Sequence, residues 1–174
     1  MQIHSEYKIH GVDNFYKKFS KLYKNPHEEK INNIYKKYIN QEIKKNDKIL
    51  DIACGDGLMS RLIMNYNHNN NVDGLDPYFS NEYVKYKMNF KDIVSGRLSN
   101  KMYNVCICSY AFHLIPKEMV YDFLTQLSFI SSKLIIISPS KKIKFYNELW
   151  FPIKLVREDK ITLIILEKNE KKII

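Results

Sequence analysis

A nine-residue stretch, ILDIACGDG at positions 49–57, constrains the fold of this chain more than any other segment. Its first half is a run of apolar, strand-forming residues, and its second half holds Gly55 and Gly57. Apolar residues at helical spacing follow from Leu58 onward, so the pattern predicts a strand, a glycine turn and a helix. Because glycine has no side chain, the backbone of such a turn can come within contact distance of a ligand.

Apolar runs alternate with helical patterns along most of the remaining chain. This alternation predicts a parallel α/β sheet with right-handed crossovers. We predict strands at 48–53, 72–76, 89–92, 103–109 and 133–138, a short helix within 79–88, and a longer helix from Pro116 to Ile130.

The chain ends with two more strand patterns, Phe151–Arg157 and Ile161–Glu167. Only residues 158–160 separate them, and a link this short cannot make a parallel crossover. The two strands are therefore predicted to form an antiparallel hairpin.

The first 45 residues have helical periodicity. We predict a short amphipathic helix at 12–23 and a second helix that begins with Asn25 as its N-cap and Pro26 in its first turn. Apolar residues from Ile31 to Ile43 recur at i, i+3, i+4 and i+7 in the second helix. We interpret 1–45 as a helical extension that could cover a site, and 46–174 as the sheet-bearing part of a single domain.

The composition is that of an ordinary globular chain, and it limits the possible partners. The formal net charge is +9, yet only Arg61, Arg97 and Arg157 are arginines. Lysine enrichment of this kind is typical of an AT-rich genome, whereas recognition of phosphates and bases favours the arginine fork. We therefore expect at most weak, non-specific binding of nucleic acid.

The chain has no apolar run near 20 residues, so we expect no membrane span. It also has no apolar segment with a cleavage site near its start, and its three cysteines do not suggest a disulfide framework. These features favour the cytoplasm. The histidines and cysteines lack zinc-like spacing, so no metal site is expected.

The glycine turn does not suit a phosphate. The third glycine of the dinucleotide-binding pattern is replaced by Ser60, and Asp51 and Asp56 would repel an anion. A ligand that carries an ammonium group and a ribose fits these residues better.

The stretch ILDIACGDG resembles the first motif of the class I S-adenosylmethionine (SAM) methyltransferases, approximately (V/I)LD(I/L)GCGxG, with Ala53 in place of the first glycine. The resemblance extends over about 47–167 and implies a Rossmann-like, seven-stranded α/β sheet whose parallel core ends in an antiparallel hairpin. It also implies that one acidic residue and the glycine loop contact the amino-acid part of SAM: Asp51, Ala53, Cys54, Gly55, Asp56 and Gly57.

Two further acidic positions match the family's pattern. Asp76, followed by Pro77, comes about 20 residues after the glycine loop, where α/β nucleotide-binding folds place a ribose-binding carboxylate. Asp76 could instead cap the next helix. Asp92 and Ile93 resemble the family's third motif, which implies that they contact the adenine.

The stretch at 103–115 resembles the family's fourth motif. By this resemblance Ser109 and Tyr110 lie beside SAM, and His113 lies near the methyl acceptor as a candidate base. His113 could instead satisfy backbone groups at the start of the next helix. Tyr16 and Tyr23 are further candidate catalytic residues, because a cover formed by the first helix would bring a phenol to the site.

The resemblance implies a SAM-dependent enzyme that transfers a methyl group to an oxygen or nitrogen atom of an acceptor, with a small molecule slightly preferred over RNA or protein. The alternative is a non-catalytic, methyltransferase-like subunit that binds SAM and stabilises a partner.

Overall fold

The computed structural model of the protein describes residues 11, 14–20, 25–139, 143 and 147–172. In the N-terminal region, residues 14–19 form helix α1, and α2 extends over Glu28–Ile34. A π-helical turn at Tyr35–Ile39 and a 3-10 turn at Asn40–Glu42 continue α2 without a break.

The rest of the chain alternates strands with helices. The strands are β1 (Ile49–Ile52), β2 (Val72–Leu75), β3 (Val84–Tyr86), β4 (Tyr103–Ser109), β5 (Ser131–Ser138), β6 (Trp150–Glu158) and β7 (Ile161–Lys168). The helices are α3 (Leu58–Asn67), α4 (Phe90–Val94) and α5 (Val120–Ile130), with 3-10 turns at Phe112–Leu114, Lys117–Met119 and Glu170–Lys172.

The seven strands form one sheet in the order β3-β2-β1-β4-β5-β7-β6. The first five strands in this order are parallel, and β7 is antiparallel to both β5 and β6. The predicted Rossmann-like sheet with a terminal antiparallel hairpin is confirmed. Asp159 and Lys160 both have positive φ, which is the geometry of a two-residue hairpin turn with the right-handed twist of its strands.

The segment between β2 and α4 differs from the prediction. No helix forms within 79–88; instead the third strand is Val84–Tyr86, and residues 90–94 are helical rather than extended. Asn89 is the N-cap of α4: its side chain accepts a hydrogen bond from the Asp92 N–H, and the Asp92 side chain accepts one from the Asn89 N–H. This reciprocal capping box fixes a helix start where a strand was predicted.

The start of α2 also differs. Its N-cap is His27, not Asn25, and α2 begins at Glu28. The Asn25 side chain instead accepts a hydrogen bond from the His27 N–H, which makes a local turn before the helix.

The sheet carries a hydrophobic core on each face. One core packs α4 and α5 against β1, β4 and β5 around Phe123 and Leu124. The other packs α3 and the α2 region against the opposite face, around Tyr35 and Ile39. Because the central strands are buried on both faces, the carboxyl-terminal edge of the parallel sheet is where a ligand can approach.

Ion pairs hold the segment after α2 against β5 and the terminal hairpin. Glu42 accepts from Lys133 at 3.1 Å and from Lys154 at 2.7 Å, and only 16% of its side chain is exposed. Within the described part of the chain, no helix is both long and apolar enough to span a membrane.

Candidate functional site

A cavity of about 290 Å³ opens at the carboxyl ends of β1, β2 and β4. The turns that follow these strands form its floor and walls, and α1 and the start of α4 contribute further residues. The predicted site residues that line it are Tyr16, Asp51, Ala53, Cys54, Gly55, Asp56, Asp76, Pro77, Ser109 and Tyr110. Tyr23 lies outside the described residues.

Asp51, in β1, lies at the bottom of the cavity with only 1% of its surface exposed. Its Oδ2 accepts two hydrogen bonds from Ser60, one from the N–H at 3.1 Å and one from the hydroxyl at 2.7 Å. Burial raises the pKa of Asp51 to about 7, against the lowering effect of the Ser60 hydrogen bonds, and the negative charges of Asp76 and Asp56 add to the increase.

Asp76 lies at the end of β2 and is 4% exposed. Its Oδ1 accepts hydrogen bonds from the N–H groups of Tyr78 and Phe79, at 2.8 and 3.0 Å, and its Oδ2 accepts from the Gly55 N–H at 3.1 Å. Asp76 therefore ties the turn after β2 to the glycine turn. Since a carboxylate has about four acceptor positions, it retains capacity for ligand hydroxyls.

The glycine turn has a left-handed backbone at Ala53 and Gly55, with φ of 55° and 57°. Gly55 lines the cavity, and a Cβ there would meet only the Phe79 ring, at ordinary contact distance. A side chain at Gly55 would therefore not clash with the protein. The prediction that its backbone comes close to a ligand is supported by its left-handed conformation and its position in the cavity wall. Ala53 holds the same conformation with a side chain, which is unfavourable for L-residues.

Gly57, which the sequence also predicts to contact the cofactor, has a packing role in the glycine turn. It does not line the cavity, and a Cβ at this position would lie 2.1 Å from Tyr83 Cδ2. Its φ of 84° also favours glycine. Because Gly57 has no side chain, it makes room for the Tyr83 ring. The guanidinium of Arg61 lies over the same ring, with its Cζ 5.7 Å from the ring centroid.

Asp92 and Ile93 do not line the cavity either. Asp92 is bound in the capping box and to Arg97 at 2.8 Å, and Ile93 is buried in the core. Asn89 and Phe90, just before them, do line the cavity. The capping box turns the Asp92 side chain back onto its own helix, so the residues that α4 brings to the cavity lie three positions earlier than the predicted pair. The adenine contact of Asp92 and Ile93 stays a prediction.

The turn after β4 brings Ser109 and Tyr110 to the cavity but leaves His113 exposed and outside its lining. Tyr110 has a φ of 55°, an uncommon conformation for a bulky residue. Its ring stacks on the imidazole of His27, with centroids 4.9 Å apart. Burial raises the pKa of Tyr110 to about 12, so its phenol stays protonated at neutral pH.

Sequence reasoning missed several lining residues. Tyr78 and Phe79 follow Asp76, Lys91 lies at the start of α4, and Leu114 and Met119 follow β4. An Asn followed three residues later by an Asp, at 89–92, was a signal for the helix start and for the residues beside it. The sequence also pointed to Ser60. It stands where a dinucleotide-binding turn has its third glycine, and a serine hydroxyl at this position needs a hydrogen-bond partner.

No protein-family model matches the sequence, and no curated protein matches it significantly. Solved structures do match the fold. Magnesium protoporphyrin IX methyltransferase from Synechocystis PCC 6803, with bound SAM, superposes with a TM-score of 0.62 and 12% identity over 96% of each chain.

Two further structures show the same similarity. A 16S rRNA methyltransferase in complex with S-adenosyl-L-homocysteine gives a TM-score of 0.63 and 10% identity over 91% of this chain and 70% of its own. An O-methyltransferase family protein from Burkholderia thailandensis gives 0.60 and 9% over 97% and 63%. The chain has the fold of class I SAM-dependent methyltransferases.

Proposed function

We propose that the protein is a SAM-dependent methyltransferase that acts on an oxygen or nitrogen atom of its acceptor, with a small molecule slightly preferred over RNA or protein. The observation that carries this proposal is a pair of buried carboxylates, Asp51 and Asp76, which line one cavity. SAM has an ammonium group and two ribose hydroxyls, which are the groups that carboxylates bind. Solved structures of the same fold hold SAM or its product, S-adenosylhomocysteine.

The chemistry of the wall fits SAM better than a nucleotide phosphate. Asp51, Asp56 and Asp76 place three carboxylates along the cavity, and Lys91 is its only lysine among the described lining residues. Asn89 and Phe90 also line the cavity, and their amide and ring are groups that can contact a base. We assign the ammonium group to Asp51, the ribose hydroxyls to Asp76, and the adenine to Asn89 and Phe90.

When bound, SAM supplies an activated methyl group, so the residues of the chain mainly have to hold and align the reactants. In this scheme Asp51 holds the amino-acid end of the cofactor and Asp76 holds the ribose at its centre. Tyr16 and Tyr110 bring phenols to the remaining wall. Because the Tyr110 phenol stays protonated, it can donate a hydrogen bond to an acceptor but not remove its proton. Of the predicted catalytic residues that the structure describes, Tyr16 lines the cavity and His113 does not.

Three features bear on where the protein works and how it is organised. Cys54, Cys106 and Cys108 are free and buried, which fits a reducing compartment, and we place the protein in the cytoplasm. We also propose that residues 1–45 act as a cover for the site on the 46–174 part, since Tyr16 and Asn25 line the cavity. Nucleic-acid binding is expected to be weak and non-specific.

Calorimetric titration with S-adenosylhomocysteine tests the cofactor assignment. Asp76→Ala is expected to weaken binding about tenfold to a hundredfold, the effect of losing hydrogen bonds to a charged group. The control is Asp122→Ala, which removes an exposed carboxylate from α5. Thermal unfolding of each variant shows whether the loss of the three backbone hydrogen bonds at Asp76 disturbs the fold.

Methyl transfer is then measured as S-adenosylhomocysteine release, with small hydroxylated and amino-group acceptors, RNA and protein as substrates. No binding of S-adenosylhomocysteine by the unaltered protein would overturn the proposal. Binding without transfer to any acceptor class would favour the non-catalytic, SAM-binding subunit instead.

A further inference from the structure

One oxygen of Asp51 is held by the protein and the other is left for a ligand. Both hydrogen bonds from Ser60 reach Oδ2, and Ser60 is itself only 1% exposed, at the first turns of α3. Within the described residues, Oδ1 receives no hydrogen bond, although the carboxylate lines the cavity. Oδ1 therefore keeps its acceptor positions for a ligand in the cavity that Asp51 lines.

The charges around this carboxylate are mostly negative. Asp76, from the end of β2, and Asp56, from the glycine turn, both act on it unfavourably. The neighbouring thiols of Cys54 and Cys108 stay neutral, because burial raises the pKa of each. Lys91 lines the cavity from α4, yet in the described part of the chain no lysine, arginine or histidine forms an ion pair with Asp51.

We propose that binding of the SAM ammonium group releases a proton from Asp51, and that Ser60 is the positioning residue that keeps this carboxyl ready to ionise. The proposal rests on the proposed function. The proton leaves the carboxyl O–H for a buffer molecule, the ammonium keeps its own protons, and an ion pair forms at Oδ1. Ser60 acts through Asp51 rather than by contact with the reacting atoms.

Without ligand, a buried carboxyl with a pKa of about 7 is half protonated at neutral pH. A cation stabilises only the ionised form, so binding pulls the carboxyl toward ionisation. Affinity must therefore rise with pH until the carboxyl is already ionised before binding. At pH 7 the release is expected to be about half a proton per ligand.

The Ser60 hydroxyl favours ionisation because it donates to the charged oxygen. Ser60→Ala removes this donor and is expected to shift the affinity–pH profile upward by about one pH unit, the equivalent of a hydrogen bond to a charged group. Affinity at pH 7 would then fall several-fold, and the difference from the unaltered protein would narrow as pH rises from 7 to 8. Ser60→Thr keeps the hydroxyl and should restore the original profile.

The experiment is calorimetric titration with S-adenosylhomocysteine from pH 5.5 to 8.0, in pairs of buffers with different heats of ionisation. The difference in observed heat between two buffers gives the number of protons released. Asp51→Asn serves as the control, because any pH dependence that survives in it belongs to the ligand. Thermal unfolding of Ser60→Ala separates a change in the fold from a change in the profile.

The outcomes separate this inference from the proposed function. A rise in affinity with pH, proton release that disappears in Asp51→Asn, and the shifted profile of Ser60→Ala would support it. Binding that is independent of pH and releases no proton would overturn the inference but leave the SAM site standing. Equal loss of affinity at every pH in Ser60→Ala would reduce Ser60 to a packing residue. Absence of binding in the unaltered protein would overturn the proposed function itself.

Discussion

The ring of Tyr16 stacks on the ring of Tyr78, with centroids 5.7 Å apart and planes inclined by 14°. Tyr16 belongs to α1 and Tyr78 to the turn that Asp76 anchors, and both line the cavity. A second stack joins His27 to Tyr110 in the turn after β4. The N-terminal region therefore contacts the turns on both sides of the glycine loop, which is the arrangement a cover over the site requires.

Removing the Tyr16 ring tests whether this cover contributes to cofactor binding. An aromatic pair of this kind contributes about 0.5–1.5 kcal/mol, so Tyr16→Ala is expected to weaken S-adenosylhomocysteine binding by roughly twofold to tenfold. Tyr121→Ala, an exposed tyrosine on α5, is the matched control and should bind normally. Deleting residues 1–23 should weaken binding at least as much and remove most methyl transfer, while the helix that begins at Glu28 stays in place.

The measurements are calorimetric affinity and thermal unfolding. Unchanged affinity and activity in a folded Tyr16→Ala protein would show that the stack is packing alone, and that the acceptor site is built without α1.

Ala53 offers a test of backbone strain in the glycine turn. The family pattern has glycine here, and the φ of 55° explains why, since a side chain in this conformation costs about 1–2 kcal/mol. Ala111 is the control, because its φ of −125° suits any residue. Chemical denaturation should find Ala53→Gly more stable than Ala111→Gly by about 1–2 kcal/mol. Equal destabilisation by the two changes would mean that Ala53 is not strained.

Asp51 should make the ligand-free protein less stable as pH rises. Its folded pKa of about 7 lies above the unfolded value of about 3.9, so the folded state binds more protons between these values. The stability it provides is fully present below pH 4 and is lost as pH rises through 7. Asp51→Asn, which cannot ionise, is therefore expected to stabilise the protein by about 4 kcal/mol at pH 8 but by only about 1–2 kcal/mol at pH 5.

Urea denaturation at the two pH values measures this difference. A stabilisation of the same size at pH 5 and pH 8 would show that the carboxyl does not titrate in this range.

The sequence predicted the parts of the fold that depend on strong patterns. The apolar runs of β1, β4 and β5 are buried on both faces, and the three-residue link at 158–160 could only make a hairpin. Most of the site followed from them, because the turns at the ends of adjacent parallel strands must meet. The sequence therefore predicts Asp51 and Asp76 at one site, and both line the cavity.

The segment from 77 to 94 could not be predicted in the same way. β3 has only three residues, Val84–Tyr86, and none of them is fully buried. Its hydrophobic pattern is therefore too short to distinguish a strand from the helix predicted within 79–88. Its place at the edge of the sheet is fixed by tertiary contacts, including the Asp76 N–H bond to the Tyr86 carbonyl. Because a strand was predicted at 89–92, the sequence did not indicate that Asn89 and Phe90 line the cavity.

The same segment explains why Gly57 must be glycine. Tyr83 comes just before β3, and its ring fills the space where a Gly57 side chain would be, with Cδ2 and Cγ 2.1 and 2.3 Å from the Cβ position. Asn81 reinforces the contact, because its side chain donates a hydrogen bond to the Gly55 carbonyl at 3.0 Å. The residues after β2 thus brace the glycine turn from outside the cavity.

Replacing Gly57 should therefore lower the free energy of unfolding by more than the strain of a side chain in a left-handed conformation would explain. Gly57→Ala is expected to lower the free energy of unfolding by about 3 kcal/mol or more, which combines left-handed strain with overpacking against Tyr83. Gly96→Ala isolates the strain: its φ of 80° is similar, but its Cβ would meet only Gln126, at 3.7 Å, so about 1–2 kcal/mol is expected. The double variant Gly57→Ala/Tyr83→Ala removes the ring and should recover most of the difference when both are measured by chemical denaturation. If Gly57→Ala and Gly96→Ala were equally stable, or if removing the Tyr83 ring gave no recovery, the brace between Tyr83 and the glycine turn would have to be abandoned.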